Sequence, residues 1–145
     1  MSRSSEDHTR ISVESIRERI KGSFPGEMGV EPLGVTDQSC RGRMVLDGRH
    51  LHPGGLAQGG AWVALADSVA GWQTIRHLPP GCDFTTIEMK LNVFAAGRPG
   101  DELIATAEHL HLGSSTHVVE VRIHSSERLV ANLLATQFVL PRPNG

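Results

Sequence analysis

The segment GAWVALADSVAGWQTI, residues 60–75, is apolar on nearly every side of a helix, and Asp67 is its one acidic group. A helix without a polar face has no stable place on a protein surface and belongs in an interior. The stretch is short of the roughly 20 mostly apolar residues of a membrane span, rich in small residues and charged at its centre, so it reads as a core helix. The downstream chain supplies the enclosure. After the Pro79-Pro80-Gly81 break, strands are expected over 83–93, 101–112, 116–125 and 129–140, separated by the Gly97-Arg98-Pro99-Gly100 and Gly113-Ser114-Ser115 turns. Val119, Val121 and Ile123 alternate with Glu120, Arg122 and His124, the period of a half-buried antiparallel strand. One buried helix followed by long antiparallel strands is an α+β arrangement, in which a twisted sheet wraps the helix and buries all of its faces.

The remainder of the chain fits one domain. At 145 residues there is little room for a second core. Residues 1–10 are polar and without apolar period and read as a disordered tail, leaving 11–145 as a single domain. Ser12 precedes Val13, Ile16 and Ile20, which predicts a short capped helix ending near Gly22. Short strands are expected at 30–35 and 43–46. The glycine- and proline-bearing run HLHPGGLAQGG, 50–60, cannot be the interior of a regular element and is a loop.

Composition removes several functions. The formal net charge is −2, aromatics are 4% with no tyrosine, and Lys21 and Lys90 are the only lysines, so neither a basic footprint nor stacking platforms point to nucleic acid. Cys40 and Cys82 stand far apart with no CxxC, which argues against a disulfide framework or a zinc ribbon and for reduced thiols. The N-terminal residues hold no apolar secretory core, so the expected location is cytoplasmic, with no membrane association.

Three features can carry chemistry. Asp67 stands mid-helix, where a carboxylate is costly to bury without a partner or a task. Its own stripe carries Val63, Ala64, Ala70 and Gly71, which favours a cleft or a subunit interface over a solvated face. Gln58, Gly59 and Gly60 form the helix start, where free backbone N–H groups and the positive end of the dipole can hold an oxyanion. Two HxH pairs, His50 with His52 and His109 with His111, would each share one side of an extended backbone and could ligate a metal. No third ligand stands at the right spacing, so no metal site is expected, and His109 and His111 read as part of a polar sheet face.

The stretches HPGGLAQGGAWVALADSVAG, TTIEMKLNVFAAGRPGDELIATAEHLHLGSSTHVVEVRI and VANLLATQFVL together resemble the hotdog-fold acyl-CoA thioesterases of the phenylacetic-acid-degradation type. That resemblance spans about residues 30–140. It implies a hotdog fold, a long central helix wrapped by a five- to six-stranded antiparallel sheet, and hydrolysis of an acyl-CoA or aryl-CoA thioester without a cofactor. By position it makes Asp67 the general base or nucleophile and Gly59 and Gly60 the oxyanion site. Gln58 stands where the family's loop, roughly NxxGxxHGG, has His, and His52 stands where many members have Asn or Gln; either would orient water or polarise the carbonyl. Gly71 stands where some members have Ser or Thr. The family's site lies between two subunits, so the resemblance also implies a homodimer or homotetramer, with Arg98, Arg122 or Arg128 as candidates for the nucleotide phosphates and Trp62, Trp72 and Phe84 for walls of the acyl pocket. Rival readings are an acyl-thioester hydratase or dehydratase using His52 with Asp67, a non-catalytic acyl-CoA-binding module, and a metal-dependent barrel built on HxH.

Overall fold

A computed structural model describes residues 11–141; the tail expected at 1–10 and the last residues of the 11–145 domain lie outside them. Helix α1 covers Val13–Ile20, and its start is a reciprocal cap: the Ser12 hydroxyl accepts from the Ser15 amide while the Ser15 hydroxyl accepts from the Ser12 amide. Gly22, with φ of 71°, turns the chain out of α1. A one-turn helix that the spacing of apolar residues does not announce, α2 (Phe24–Glu27), follows with proline in its first turn. Strands β1 (Glu31–Val35) and β2 (Cys40–Val45) form a hairpin, β2 starting three residues before the expected position. A 3-10 turn at Gly48–His50 then opens the loop that leads into α3 (Gly59–Arg76), one residue longer at each end than expected.

Strands β3 (Cys82–Val93), β4 (Glu102–Leu112), β5 (Thr116–Ser125) and β6 (Arg128–Pro141) complete a six-stranded antiparallel sheet in the order β1-β2-β4-β5-β6-β3. The period-2 pattern sets which face meets the helix: Leu103, Ala105 and Ala107 of β4, Val119, Val121 and Ile123 of β5, and Ala131, Leu133 and Ala135 of β6 are all buried. The small side chains of this patch, Ala105, Ala107, Ala131 and Ala135, let the larger groups of α3, Trp62, Leu65, Val69 and Trp72, seat directly on the sheet. On β2 the approach is closest: a Cβ at Gly42 would lie 2.7 Å from a Val69 methyl.

The expectation that the sheet would bury all faces of α3 does not hold. Gly60, Val63, Asp67, Ser68 and Gly71 keep partial or full exposure and lie at i, i+3, i+4 spacing along one stripe. A single sheet contacts a cylinder from one side, and the stripe opposite is left open. The β3 edge is open as well: β3 pairs with β6 on one side only, and Ile87, Met89 and Val93 on it are exposed.

Candidate active site

Asp67 lies on the open stripe of α3, in a cleft of about 510 Å³. Its lining comes from three elements: Gly60, Ala64, Gly71, Trp72 and Ile75 of α3, Phe24 and Pro25 of α2, and Phe84 and Thr86 of β3. Among the described residues nothing charged pairs with Asp67, and burial pushes its carboxyl above the usual aspartate range. A carboxylate so placed is a stronger base than one in water, which is what proton abstraction or direct attack at a carbonyl requires. The two hydroxyls of the cleft have committed their protons. Ser68 donates to the Ala64 carbonyl at 2.6 Å, and Thr86 donates to Gln137 Oε1. Each therefore offers the cleft lone pairs, which accept.

The other sequence-predicted residues lie together at the start of α3. Gln58 is the N-cap residue, but its side chain caps nothing; its amide donates to the His50 carbonyl at 2.8 Å. Gly59 and Gly60 are exposed, have no positive φ, and a Cβ on either would meet nothing within 4 Å. Neither this chain's backbone nor the packing of the described residues calls for glycine there. The loop before them is clamped by an isolated bridge between Leu51 and Ala57 and by the Ala57 amide donating to the Gly97 carbonyl at 2.9 Å. His52 belongs to that loop, half-buried, with Nδ1 accepting from the Gly54 amide. Asp67 stands eight residues into the helix from Gly59, ~12 Å along the axis at 1.5 Å per residue. Within one chain His52, Gln58 and Gly59 thus stand near the start of α3, Gly60 both begins the helix and lines the cleft, and Asp67 lies about two turns further on with Thr86 and the aromatic walls.

Neither HxH pair presents two rings to one point. His50 is buried, its Nε2 donating to the Met28 carbonyl at 2.6 Å and its Nδ1 accepting from the Asp47 amide at 2.9 Å. A β-bulge between His109 and His111 pairs the first with Val119 and the second with Val118, which face opposite sides of β5. Contrary to a polar sheet face holding both, His109 points inward, into a buried polar chain. Gln73 of α3 donates to His109 Nδ1 and His109 Nε2 donates to His117 Nδ1, both at 3.0 Å. Burial, then His117 and His77, pull His109 from an ordinary 6.5 down to about 4; burial with His77 and His111 lowers His117. Among the described residues no three His, Cys, Asp or Glu side chains gather as metal ligands.

Trp72 and Phe84 do line the Asp67 cleft; Trp62 is buried in the core away from it. Arg122 lies on the outer face of the sheet, its Nε donating to Glu120 at 3.0 Å. Sequence reasoning missed α2 and Thr86. The run SFPGE did carry a helix-start signal, a Ser N-cap followed by Pro and then an acid in the first turn. Thr86 carried none, because its place in the Asp67 cleft depends on the sheet.

Known proteins share this architecture. A profile described as thioesterase superfamily matches residues 54–131, from the loop through most of the sheet. The 1,4-dihydroxy-2-naphthoyl-CoA hydrolase of Escherichia coli (strain K12) is 25% identical over 90% of this chain and 96% of its own. Among solved structures, a mutant of thioesterase PA1618 from Pseudomonas aeruginosa superposes with a TM-score of 0.85 at 26% identity, covering 90% of this chain and 95% of that one. A hypothetical thioesterase from Streptococcus pneumoniae TIGR4, solved with coenzyme A, superposes with a TM-score of 0.70 at 28% identity over 79% and 91%.

Proposed function

Since the chain belongs to the thioesterase superfamily and has the hotdog fold, we propose that it hydrolyses acyl-CoA or aryl-CoA thioesters at a site built jointly by two copies of the chain. It is a thioester hydrolase; the residues, the substrate and the dimer are the proposal. The observation that carries it is Asp67, a carboxylate held partly out of water on the one uncovered stripe of an otherwise buried helix.

Asp67 acts as general base or nucleophile. As base it takes a proton from water as the water oxygen bonds to the thioester carbon; as nucleophile its own oxygen forms that bond, giving an anhydride that water then opens. Either way the C–S bond breaks, coenzyme A leaves as thiolate, and the acid is released. The carbonyl oxygen gains negative charge on the way, and the N–H groups of Gly59 and Gly60, backed by the dipole of α3, are the donors for it. His52 or Gln58 orients water or polarises the carbonyl. No metal or organic cofactor enters the scheme, because a thioester carbon is already electrophilic and a thiolate leaves readily.

Two copies are required by reach. An aspartate side chain cannot span the ~12 Å back to the start of its own helix. A second α3, running antiparallel across a twofold axis, brings its Gly59 and Gly60 to the first Asp67 and the reverse. The unpaired β3 edge, long and carrying exposed Ile87, Met89 and Val93, is a surface such a partner covers. A dimer, or a tetramer made of two such dimers, follows.

The test is complementation. Asp67→Asn and His52→Ala are each expected to be nearly inactive; coexpressed, half of random dimers are mixed and each holds one intact site, so ~25% of wild-type acyl-CoA hydrolysis returns. Absence of recovery, or a monomer in sedimentation that still turns over, contradicts the shared site.

A further inference from the structure

The ring of His52 is held by its own loop. The Gly54 amide donates to His52 Nδ1 at 2.9 Å, while the His52 amide donates to the Leu56 carbonyl and the Gly55 amide to the His52 carbonyl, both at 2.9 Å. The backbone around the ring is thereby closed. A neutral imidazole carries one proton, and with Nδ1 accepting, that proton resides on Nε2.

Gly54 is fitted to that ring. A Cβ at position 54 would lie 2.7 Å from His52 Cε1 and 2.9 Å from Nδ1, inside any contact that real side chains make. Its backbone does not explain the glycine: φ is positive at Gly55, 85°, and not at Gly54. Gly55 serves the turn, whereas Gly54 leaves room for the imidazole and supplies the N–H that fixes it.

We propose that Gly54 is a positioning residue that holds His52 as the Nε2–H tautomer, so that His52 serves the thioester as a neutral hydrogen-bond donor and not as a proton acceptor. A general base needs a free lone pair. The lone pair of Nδ1 is engaged by Gly54, and Nε2 carries the proton. This deepens the reading of the loop as one half of a thioesterase site and depends on it for the substrate. It also separates hydrolysis from the hydratase reading, in which His52 would be the partner base of Asp67.

The experiment has two arms. Nitrogen-15 spectra of the histidine rings of the full chain above pH 7, with His52→Ala to assign the signals, are expected to show His52 with Nε2 protonated; an Nδ1–H tautomer overturns the proposal. In the kinetic arm Gly54→Ala is expected to lower kcat/KM on the order of tenfold to a hundredfold by swinging the ring away, yet to cost nothing further in the His52→Ala background. His52→Gln, which keeps an amide donor but no comparable base, is expected to retain more activity than His52→Ala. Equal losses from Gly54→Ala in both backgrounds mean the glycine is merely structural and overturn the proposal. If the wild type cleaves no thioester, the proposed function falls, and the tautomer spectrum alone then decides the role of Gly54.

Discussion

The two partial sites on this chain are held by opposite means. Around His52, Gln58, Gly59 and Gly60 the backbone does the positioning, through the Leu51–Ala57 bridge and the amide bonds to His50, Leu56 and Gly97, and the glycines at the helix start stay open to solvent. Asp67 instead stands in a cleft lined by the side chains of Trp72, Ile75, Phe84 and Phe24, with no charged partner for the carboxylate among the described residues. Under the proposed mechanism, the contrast follows from what each half would supply. Donors for an oxyanion act by fixed direction, which backbone geometry provides at no side-chain entropy cost. A base acts by raised proton affinity, which removal from water provides. The halves therefore respond differently to substitution.

Asp67→Asn is expected to give the largest effect, a fall in kcat of roughly 10²- to 10⁴-fold. Because burial raises the Asp67 pKa, ionising it at neutral pH opposes folding, so the variant should melt no lower than wild type; a clear drop in Tm would make Asp67 structural. Gly60→Val tests the other half. Nothing among the described residues obstructs a Cβ there, so Tm should hold while kcat/KM falls roughly 10²-fold, the cost of a blocked oxyanion donor. Unchanged turnover would remove the helix start from the site.

Phe24→Ala should be milder. Phe24 is 64% exposed at the rim of the Asp67 cleft, so its truncation should raise KM roughly three- to tenfold with kcat nearly unchanged. An altered kcat at constant KM would mean that α2 orients the reacting groups. A further effect, on stability and not on turnover, belongs to neither half and comes from the buried polar chain behind α3. His109 stays neutral in the folded state down to about 4, while its unfolded counterpart takes up a proton near 6.5, so the unfolded state binds more protons between those values. This contribution to stability is complete above 6.5 and is lost as pH falls toward 4. Thermal melts should show that decline, and His109→Gln should flatten it; equal slopes would place the acid sensitivity elsewhere.

The fold was legible because its strongest signals are local. The capped start at Ser12, the all-apolar run through Leu65 and the alternation from Val119 to Ile123 each need only their neighbours in sequence. Legibility of the candidate site was uneven for the same reason. Asp67 announced itself as a charge in an apolar run, and Gly59 and Gly60 as a glycine pair before a helix. Thr86 and Phe24 did not, since nothing near them in sequence records that β3 and α2 border the stripe of α3. The histidines misled in the other direction: His109 and His111 look like a pair until the bulge in β4 turns them to opposite faces.

By itself, then, the sequence determined that one helix belongs against the core, that antiparallel strands must pack on it, and that a single carboxylate interrupts it. Those conclusions rest on periodicity and on the cost of exposing apolar surface or burying charge, which are properties of each segment alone. Only the tertiary structure decided that the sheet leaves one stripe of α3 uncovered, that Asp67 lies on it, and that α2 and β3 border it. Distances across a fold depend on which elements pack together and at what offset, and no local pattern encodes those.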